Sequence, residues 1–276
     1  MNIGHTYNAG DLITILPGIR ELWVKTRQRV TIYQRIDLPA YYFDGAKHPT
    51  VNSDGAPVSM NRDIFNKLKP LLLQQGYIED FKEWKGEQVD FDFSETRDRK
   101  SVPMPHGSIH HWWMITFPQM QTNLSRRWLY GTYAEGDGKN IIINRTDRYY
   151  NPMITYYFLK DYNDVWFAGT KDEYESFKKQ FELSNLNYLE VGNFLELADE
   201  IAKSNLFIGV QSMCWHIADG LKARRLLEVS PQYPNTWPTG ADGYLFAHQN
   251  TLEYFVSLFV NKKRNDNLYL PETISQ

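Results

Sequence analysis

Polar residues that could take part in chemistry follow three apolar, strand-like segments of the sequence. They are Asn8-Ala9-Gly10-Asp11 after residues 2–7, Asn144-Arg145-Thr146-Asp147-Arg148 after NIIIN, and Gln211-Ser212-Met213-Cys214-Trp215-His216 after LFIGV. In open α/β sheets, ligands bind beyond the carboxyl ends of the strands. These three groups are therefore the candidate functional residues.

The first group offers one carboxylate, Asp11, at the start of a helix predicted over residues 12–28. In a crevice, this carboxylate could accept the proton of an attacking hydroxyl. Asp is also a preferred helix N-cap, and the sequence leaves both interpretations open. Gly10 is expected to let the backbone turn tightly, and Pro17 is expected to kink or delay the helix.

The second group suits a diphosphate, because the planar guanidinium groups of Arg145 and Arg148 pair with phosphate oxygens in bidentate fashion. Thr146 adds a hydroxyl between them. The alternative is a solvated turn in which the same charges form surface ion pairs.

The third group opens a helix, whose free N–H groups and dipole favour an anion. Ser212 could donate to a phosphate or only cap the helix, and His216 could contact the ligand or lie at the edge of the core. Glu228 ends the strand RLLEV. Its carboxylate could bind ribose hydroxyls, as acidic residues at strand ends do in nucleotide sites, or be an exposed charge.

We predict no metal site. Asp90-Phe91-Asp92 matches a DxD pattern, but it lies in an alternating strand that turns both aspartates to solvent. His106, His110 and His111 have no Cys or Glu at a spacing that completes a zinc site.

The composition indicates a soluble, cytoplasmic protein. The chain has 276 residues, a net charge of -3 and a single cysteine, Cys214, so it forms no internal disulfide. No signal peptide or membrane-length apolar run is visible. The acidic balance argues against non-specific coating of DNA.

Strands alternate with helices, most clearly in the second half, which predicts an α/β fold with parallel sheets. We place the boundary at Glu135–Gly138 and predict two domains, residues 1–137 and 138–276. The predicted strands are 2–7, 29–36, 89–93, 140–144, 164–168, 188–191, 206–210 and 225–229. The predicted helices are 12–28, 61–75, 171–181, 194–204, 213–221 and 251–262.

Several of these segments resemble the heptosyltransferase-like enzymes of glycosyltransferase family nine. NAGDLITILPGIREL resembles their start, where a Gly-Asp opens a helix containing Leu-Pro, and LADEIAKSNLFIGVQSMCWHIADGLKARRLLEV resembles their donor-binding core. NRTDRYYNP and VWFAGTKDEYESFKKQF match less-characterised members, including phage-encoded ones. Gln211, Met213 and Cys214 depart from the Asp and small residues that many members have there. Residues 45–134 match nothing recognisable.

The resemblance implies a GT-B architecture, with two Rossmann-like domains facing across a cleft. It implies an inverting transfer from a nucleotide-sugar donor, without a metal or a resident cofactor. Asp11 becomes the candidate general base. The candidate donor-binding residues are Arg145, Thr146, Arg148, Gln211, Ser212, His216 and Glu228. The candidate acceptor-binding residues are Asn8, Gly10, His110, His111 and Trp112.

The acceptor is left open between a saccharide and a hydroxymethylated base of phage DNA. A basic and aromatic groove would favour DNA, and its candidate residues are Arg97, Arg99, Lys100, His106, His110, His111, Trp112, Trp113, Arg126, Arg127 and Trp128. A non-catalytic nucleotide-sugar binder or interaction protein on the same fold is the alternative from another class.

Overall fold

The computed structural model describes residues 1–40, 50–98, 107–132 and 138–260. The first half builds a four-stranded parallel sheet in the order β3-β2-β1-β4. Its strands are β1 (Asn2–His5), β2 (Val30–Gln34), β3 (Ile78–Glu83) and β4 (Phe91–Asp92). The helices of this half are α1 (Ala9–Thr26), α2 (Arg62–Leu73), α3 (Glu95–Asp98) and α4 (His110–Thr116), and a 3₁₀ turn follows at Pro118–Met120.

The second half builds a six-stranded parallel sheet in the order β10-β9-β8-β5-β6-β7. Its strands are β5 (Ile141–Asn144), β6 (Val165–Phe167), β7 (Leu186–Tyr188), β8 (Leu206–Gly209), β9 (Arg225–Glu228) and β10 (Gly243–Phe246). Its helices are α5 (Lys171–Gln180), α6 (Phe194–Lys203), α7 (Met213–Leu221) and α8 (Gln249–Val260), with a 3₁₀ turn at Tyr157–Asp161. The predicted α/β class with two parallel sheets is confirmed.

Two strands were missed by the sequence analysis. β3 has the sequence IEDFKE, in which only Ile78 and Phe81 are buried, so it lacks the continuous apolar run of a buried strand. β10 lies at the edge of its sheet and follows a polar, glycine-containing stretch. β3 also lies at the edge of its sheet, where charged side chains are common.

Helix α1 begins earlier than expected, and this corrects three predictions. Asn8, and not Asp11, is the N-cap, so Asp11 lies in the first helical turn. Gly10 lies within the helix and its φ is not positive, so it makes no tight turn. Pro17 lies inside the helix and does not delay its start.

The two halves share a core. Helix α1 packs against α7, and α2 packs against α6. The largest apolar cluster contains Leu12 and Leu16 of α1 together with Trp215 and Ile217 of α7. A shared core of this kind holds the carboxyl ends of the two sheets in a fixed relation.

The predicted domain boundary, Glu135–Gly138, lies almost wholly outside the described residues and stays a prediction. Within the parts that the structure does describe, no helix has the length and apolar character needed to cross a membrane.

Candidate functional site

A cleft of about 960 Å³ lies between the two sheets. Residues 8–11 after β1 form one wall, together with side chains of α2 and residues 109 and 112. The loops after β5, β6, β7 and β8 form the other wall, together with residues 233 and 235 after β9. The cleft therefore lies at the strand ends where α/β folds bind ligands, as expected for the three groups of polar residues.

The N-termini of α1 and α7 are in contact with each other, and residues of both line this cleft. A Cβ placed on Gly10 would lie 3.5 Å from His216 Cδ2 and 3.5 Å from the backbone nitrogen of Met213. Asp11 lines the cleft beside this contact. Two helix N-termini, each carrying partial positive charge, are thus directed at one space, which favours an anionic ligand there.

A hydrogen-bonded chain ties the ends of β5 and β8 together. The Ser212 hydroxyl donates to Asn144 Oδ1 at 2.6 Å and accepts from Trp215 N at 3.2 Å. Asn144 Nδ2 donates in turn to the Ala168 carbonyl. The Ser212 hydroxyl therefore donates its proton to Asn144. This arrangement favours a role for Ser212 as the N-cap of α7 over donation to a phosphate.

Thr146, Arg148 and Gln211, which the sequence analysis named as donor-binding candidates, line the cleft. Thr146 Oγ1 and Gln211 Oε1 are buried and have no hydrogen-bond partner within the described part of the chain. A buried polar atom of this kind costs free energy until a ligand or water pairs with it. Both atoms are therefore expected to hydrogen-bond an occupant of the cleft.

Arg145 and Glu228 do not line the cleft but bind each other. Arg145 Nε and Nη2 donate to the Glu228 carboxylate at 3.0–3.2 Å. The same carboxylate accepts from Asn151 N and from the Tyr156 hydroxyl. The two side chains are 6% and 0% exposed. In contrast to their predicted roles at the ribose and the diphosphate, Glu228 and Arg145 pair with each other in the core, and neither is included in the donor site proposed below.

His216 lines the cleft in the first turn of α7, near Asp11. Burial lowers its pKa to about 4, although the nearby charges of Asp219 and Asp11 act in the opposite direction. His216 is therefore neutral at pH 7 and offers a ligand one hydrogen bond rather than a positive charge.

His110 and His111 do not line the cleft, in contrast to their predicted acceptor role. His110 is buried, its Nδ1 donates to the Thr14 carbonyl at 2.9 Å, and burial lowers its pKa to about 3. The His111 ring lies edge-on to Trp237. Trp112 does line the cleft, as do Asn8 and Gly10.

Three of the candidates for a basic and aromatic DNA groove are buried and do not reach the cleft. Trp113 and Trp128 are 2% and 1% exposed and belong to the core, as does His110. Of the three tryptophans, only Trp112 reaches the cleft. Residues 99–106, which contain three of the predicted basic residues, lie outside the described part.

The cleft residues that the sequence analysis did not single out include Glu190, Tyr233 and Asn235. Glu190 follows β7, but the strand was predicted over 188–191, which placed Glu190 inside it. Tyr233 and Asn235 lie in the loop after β9, where no periodic pattern marks them. All three residues follow the carboxyl ends of β7 and β9 as the structure bounds these strands, which is where ligands bind in open α/β sheets.

Asp11 also borders a second cavity, of about 20 Å³, which is large enough for one water molecule. His5, Tyr7 and Thr14 contribute polar groups to its wall, and Trp113 contributes an aromatic ring. The His5 ring is held by Gln34, whose Oε1 lies 2.6 Å from His5 Nδ1.

Two other kinds of site, a cysteine nucleophile and a metal centre, are not found among the described residues of the cleft. Burial raises the pKa of Cys214 to about 12, so its thiol is protonated at neutral pH. The described residues contain no group of three or more His, Cys, Asp or Glu side chains arranged to hold a metal ion.

Comparison with known proteins finds similarity in structure alone. No family model matches the sequence, and no curated protein matches it. The fold is similar to a family 9 glycosyltransferase from Veillonella parvula, with a TM-score of 0.56 and 10% identity, over 97% of this chain and 91% of that one.

Two heptosyltransferases of E. coli are also similar. WaaC with ADP gives a TM-score of 0.53 at 10% identity, covering 94% of this chain and 97% of that one. ADP-heptose lps heptosyltransferase II gives 0.56 at 11% identity, covering 89% of both chains. The chain therefore has the GT-B fold of these enzymes.

Proposed function

We propose that this protein is an inverting glycosyltransferase that uses a nucleotide-sugar donor. One observation carries the proposal: Asp11 and the N-terminus of α7 lie close together and line the same large cleft. A base on one wall and an anion site on the other are what glycosyl transfer to a hydroxyl requires.

The donor diphosphate would bind at the N-terminus of α7. Arg148 supplies positive charge from the loop after β5, and the helix dipole adds partial charge. His216 supplies one neutral hydrogen bond. These groups would stabilise the charge that develops on the departing diphosphate, and we propose that no metal ion is needed for this.

The nucleoside would bind beyond β6 and β7. Ala168, Leu189, Val191 and Phe194 give this end of the cleft apolar surface suited to a flat base. Glu190 lies among them and would accept hydrogen bonds from ribose hydroxyls, the role that the sequence analysis gave to Glu228.

Asp11 would act as the general base. As the acceptor oxygen attacks the anomeric carbon, its proton passes to the Asp11 carboxylate. The bond from that carbon to the diphosphate oxygen breaks, and its electron pair stays with the diphosphate. Attack from the face opposite the leaving group inverts the anomeric centre.

We propose a saccharide as the acceptor. Trp112 is the aromatic side chain on the α1 wall of the cleft among the described residues, and an aromatic face suits a sugar ring. The DNA alternative loses Trp113, Trp128 and His110 from its groove, because these three side chains belong to the core.

Asp11→Asn tests the proposed base. Donor turnover should fall by roughly 10²-fold or more, since an amide cannot take the proton. Stability should change by about 1 kcal/mol or less, the scale of a charge in the first helical turn. The measurement is release of nucleoside diphosphate from a panel of sugar nucleotides, with water or added saccharides as acceptor.

The same measurement separates an enzyme from a non-catalytic binder. Near-normal turnover in the folded variant would remove Asp11 as the base. If the wild-type protein binds sugar nucleotides but releases no diphosphate with any acceptor, the chain is a binder.

A further inference from the structure

The segment Ser230–Thr239, which follows β9, crosses from the second half of the chain to the first; we call it the strap. The backbone N–H of Ile109 donates to the Asn235 carbonyl at 2.8 Å, and Trp237 of the strap contacts the His111 ring. Tyr233 and Asn235 of the strap line the cleft. The strap therefore forms part of the cleft wall next to the first half.

We propose that Tyr149, Gln211, Tyr233 and Asn235 form the subsite for the transferred sugar. We further propose that this subsite selects an uncharged sugar, whose hydroxyls donate to the amide oxygens of Gln211 and Asn235. This inference rests on the proposed function and adds the chemical class of the donor sugar.

The strand order brings these four residues together. β8 lies between β5 and β9, so Gln211 after β8 lies between Tyr149 after β5 and the strap after β9. The rings of Tyr149 and Tyr233 are in edge-to-face contact, with centroids 5.7 Å apart. The two rings therefore meet across the end of β8, where Gln211 lies.

The position relative to Asp11 points to the sugar rather than the nucleoside. Ile109, which holds the strap, lines the cleft and the small cavity together with Asp11. The apolar end beyond β6 and β7 lies on the other side of β5. A donor whose diphosphate lies at α7 and whose base lies beyond β6 must present its sugar on the side of the strap. On that side, the attacked carbon comes within reach of a hydroxyl held by Asp11.

The unpaired atoms of the subsite determine its preference. Gln211 Oε1 and Asn235 Oδ1 are both buried without a hydrogen-bond partner in the described residues. Both are carbonyl oxygens, which accept hydrogen bonds and cannot donate them. Sugar hydroxyls satisfy such oxygens, whereas the carboxylate of an acidic sugar has no proton to offer at neutral pH and repels them. Aromatic rings beside amide side chains suit the mixed apolar and polar faces of a neutral sugar.

The test compares binding of diphosphates with binding of their sugar conjugates by calorimetry. The wild-type protein is titrated with ADP, GDP, UDP and CDP. The diphosphate that binds best is then compared with its glucose, galactose, mannose and glucuronic acid conjugates. The variants are Asn235→Ala and Gln211→Ala. The matched control is Gln232→Ala, which removes an exposed amide of the same strap that does not line the cleft.

In the wild type, we expect at least one neutral conjugate to bind more tightly than its diphosphate, and the glucuronic acid conjugate to bind at least about 10-fold more weakly than that neutral conjugate. Asn235→Ala and Gln211→Ala should each weaken the neutral conjugate by about 10-fold. Their affinity for the bare diphosphate should stay within about 2-fold of wild type, which also shows that they fold. Gln232→Ala should change neither affinity.

The subsite proposal is overturned if both cleft variants bind the neutral conjugates as the wild type does. Its preference for an uncharged sugar is overturned if the glucuronic acid conjugate binds as tightly as the neutral ones. Failure of the proposed function gives a different result, because the wild type would then bind none of the four diphosphates. That result would also overturn the subsite proposal.

Discussion

At the scale of single residues, the loop after β5 places neighbouring side chains in opposite environments. Asn144, Thr146 and Arg148 line the cleft, whereas Arg145 points into the core and binds Glu228. In extended chain, alternate side chains point to opposite sides, so these residues need not share a role. The sequence contains this alternation, but it does not tell which of the two sides faces a ligand.

The Arg145–Glu228 pair is expected to support the fold. Glu228→Gln leaves the Arg145 guanidinium buried without its counter-charge, so we expect the free energy of unfolding to fall by about 3–5 kcal/mol. The measurement is urea denaturation. Glu190→Gln is the matched control, because Glu190 is exposed and should change stability little. Equal stability of the wild type and Glu228→Gln would show that the buried pair is not needed for folding.

At the scale of elements, the second half of the chain was largely predictable. Short apolar strands such as IIIN, LFIG and RLLE are buried along their whole length and stand out from the amphipathic helices between them. The first half was less predictable. In β3, charged residues separate the two buried apolar side chains, and β4 is only two residues long. The strap could not be predicted, since its position depends on contacts with residues far away in sequence.

Helix α1 depends on a close approach at Gly18. A Cβ there would lie 2.6 Å from Trp113 Cζ3 of α4 and 3.1 Å from Met120 Cβ of the following 3₁₀ turn. Gly18→Ala should therefore lower stability by about 1–3 kcal/mol through overpacking, measured by thermal or urea unfolding.

Gly10→Ala is the control in the same helix. Its Cβ would meet its neighbours at the ordinary contact distance of 3.5 Å. The helix propensity of alanine should then leave stability unchanged or slightly higher. The packing account of α1 is contradicted if Gly18→Ala is as stable as Gly10→Ala.

At the scale of the whole molecule, two of the buried histidines, His110 and His216, make stability depend on pH. Burial lowers the pKa values of His110 and His216 to about 3 and 4. In the unfolded chain both groups take up protons near pH 6.5, so the unfolded state binds more protons below that pH. Their contribution to stability is fully present above about pH 6.5 and is lost as the pH falls towards 4.

The free energy of unfolding should therefore decrease by roughly 1 kcal/mol per pH unit for each histidine between about pH 6 and pH 5. Urea denaturation across this range measures the slope. His110→Gln should remove about half of it, since one titrating group remains. A slope near zero in the wild type would show that both histidines are accessible to protons in the folded protein.

The central claim is that this cleft binds the diphosphate of a nucleotide sugar through Arg148 and the N-terminus of α7. The most direct test is calorimetric titration of the wild-type protein with ADP, GDP, UDP and CDP in the presence of EDTA. Arg148→Ala is the variant, and Arg126→Ala, which removes an exposed arginine outside the cleft, is the control. We predict that at least one diphosphate binds at a single site. Arg148→Ala should weaken that binding by about 1.5–3 kcal/mol, while Arg126→Ala leaves it unchanged. Failure of all four to bind the folded wild-type protein, or equal binding by Arg148→Ala, would contradict the claim.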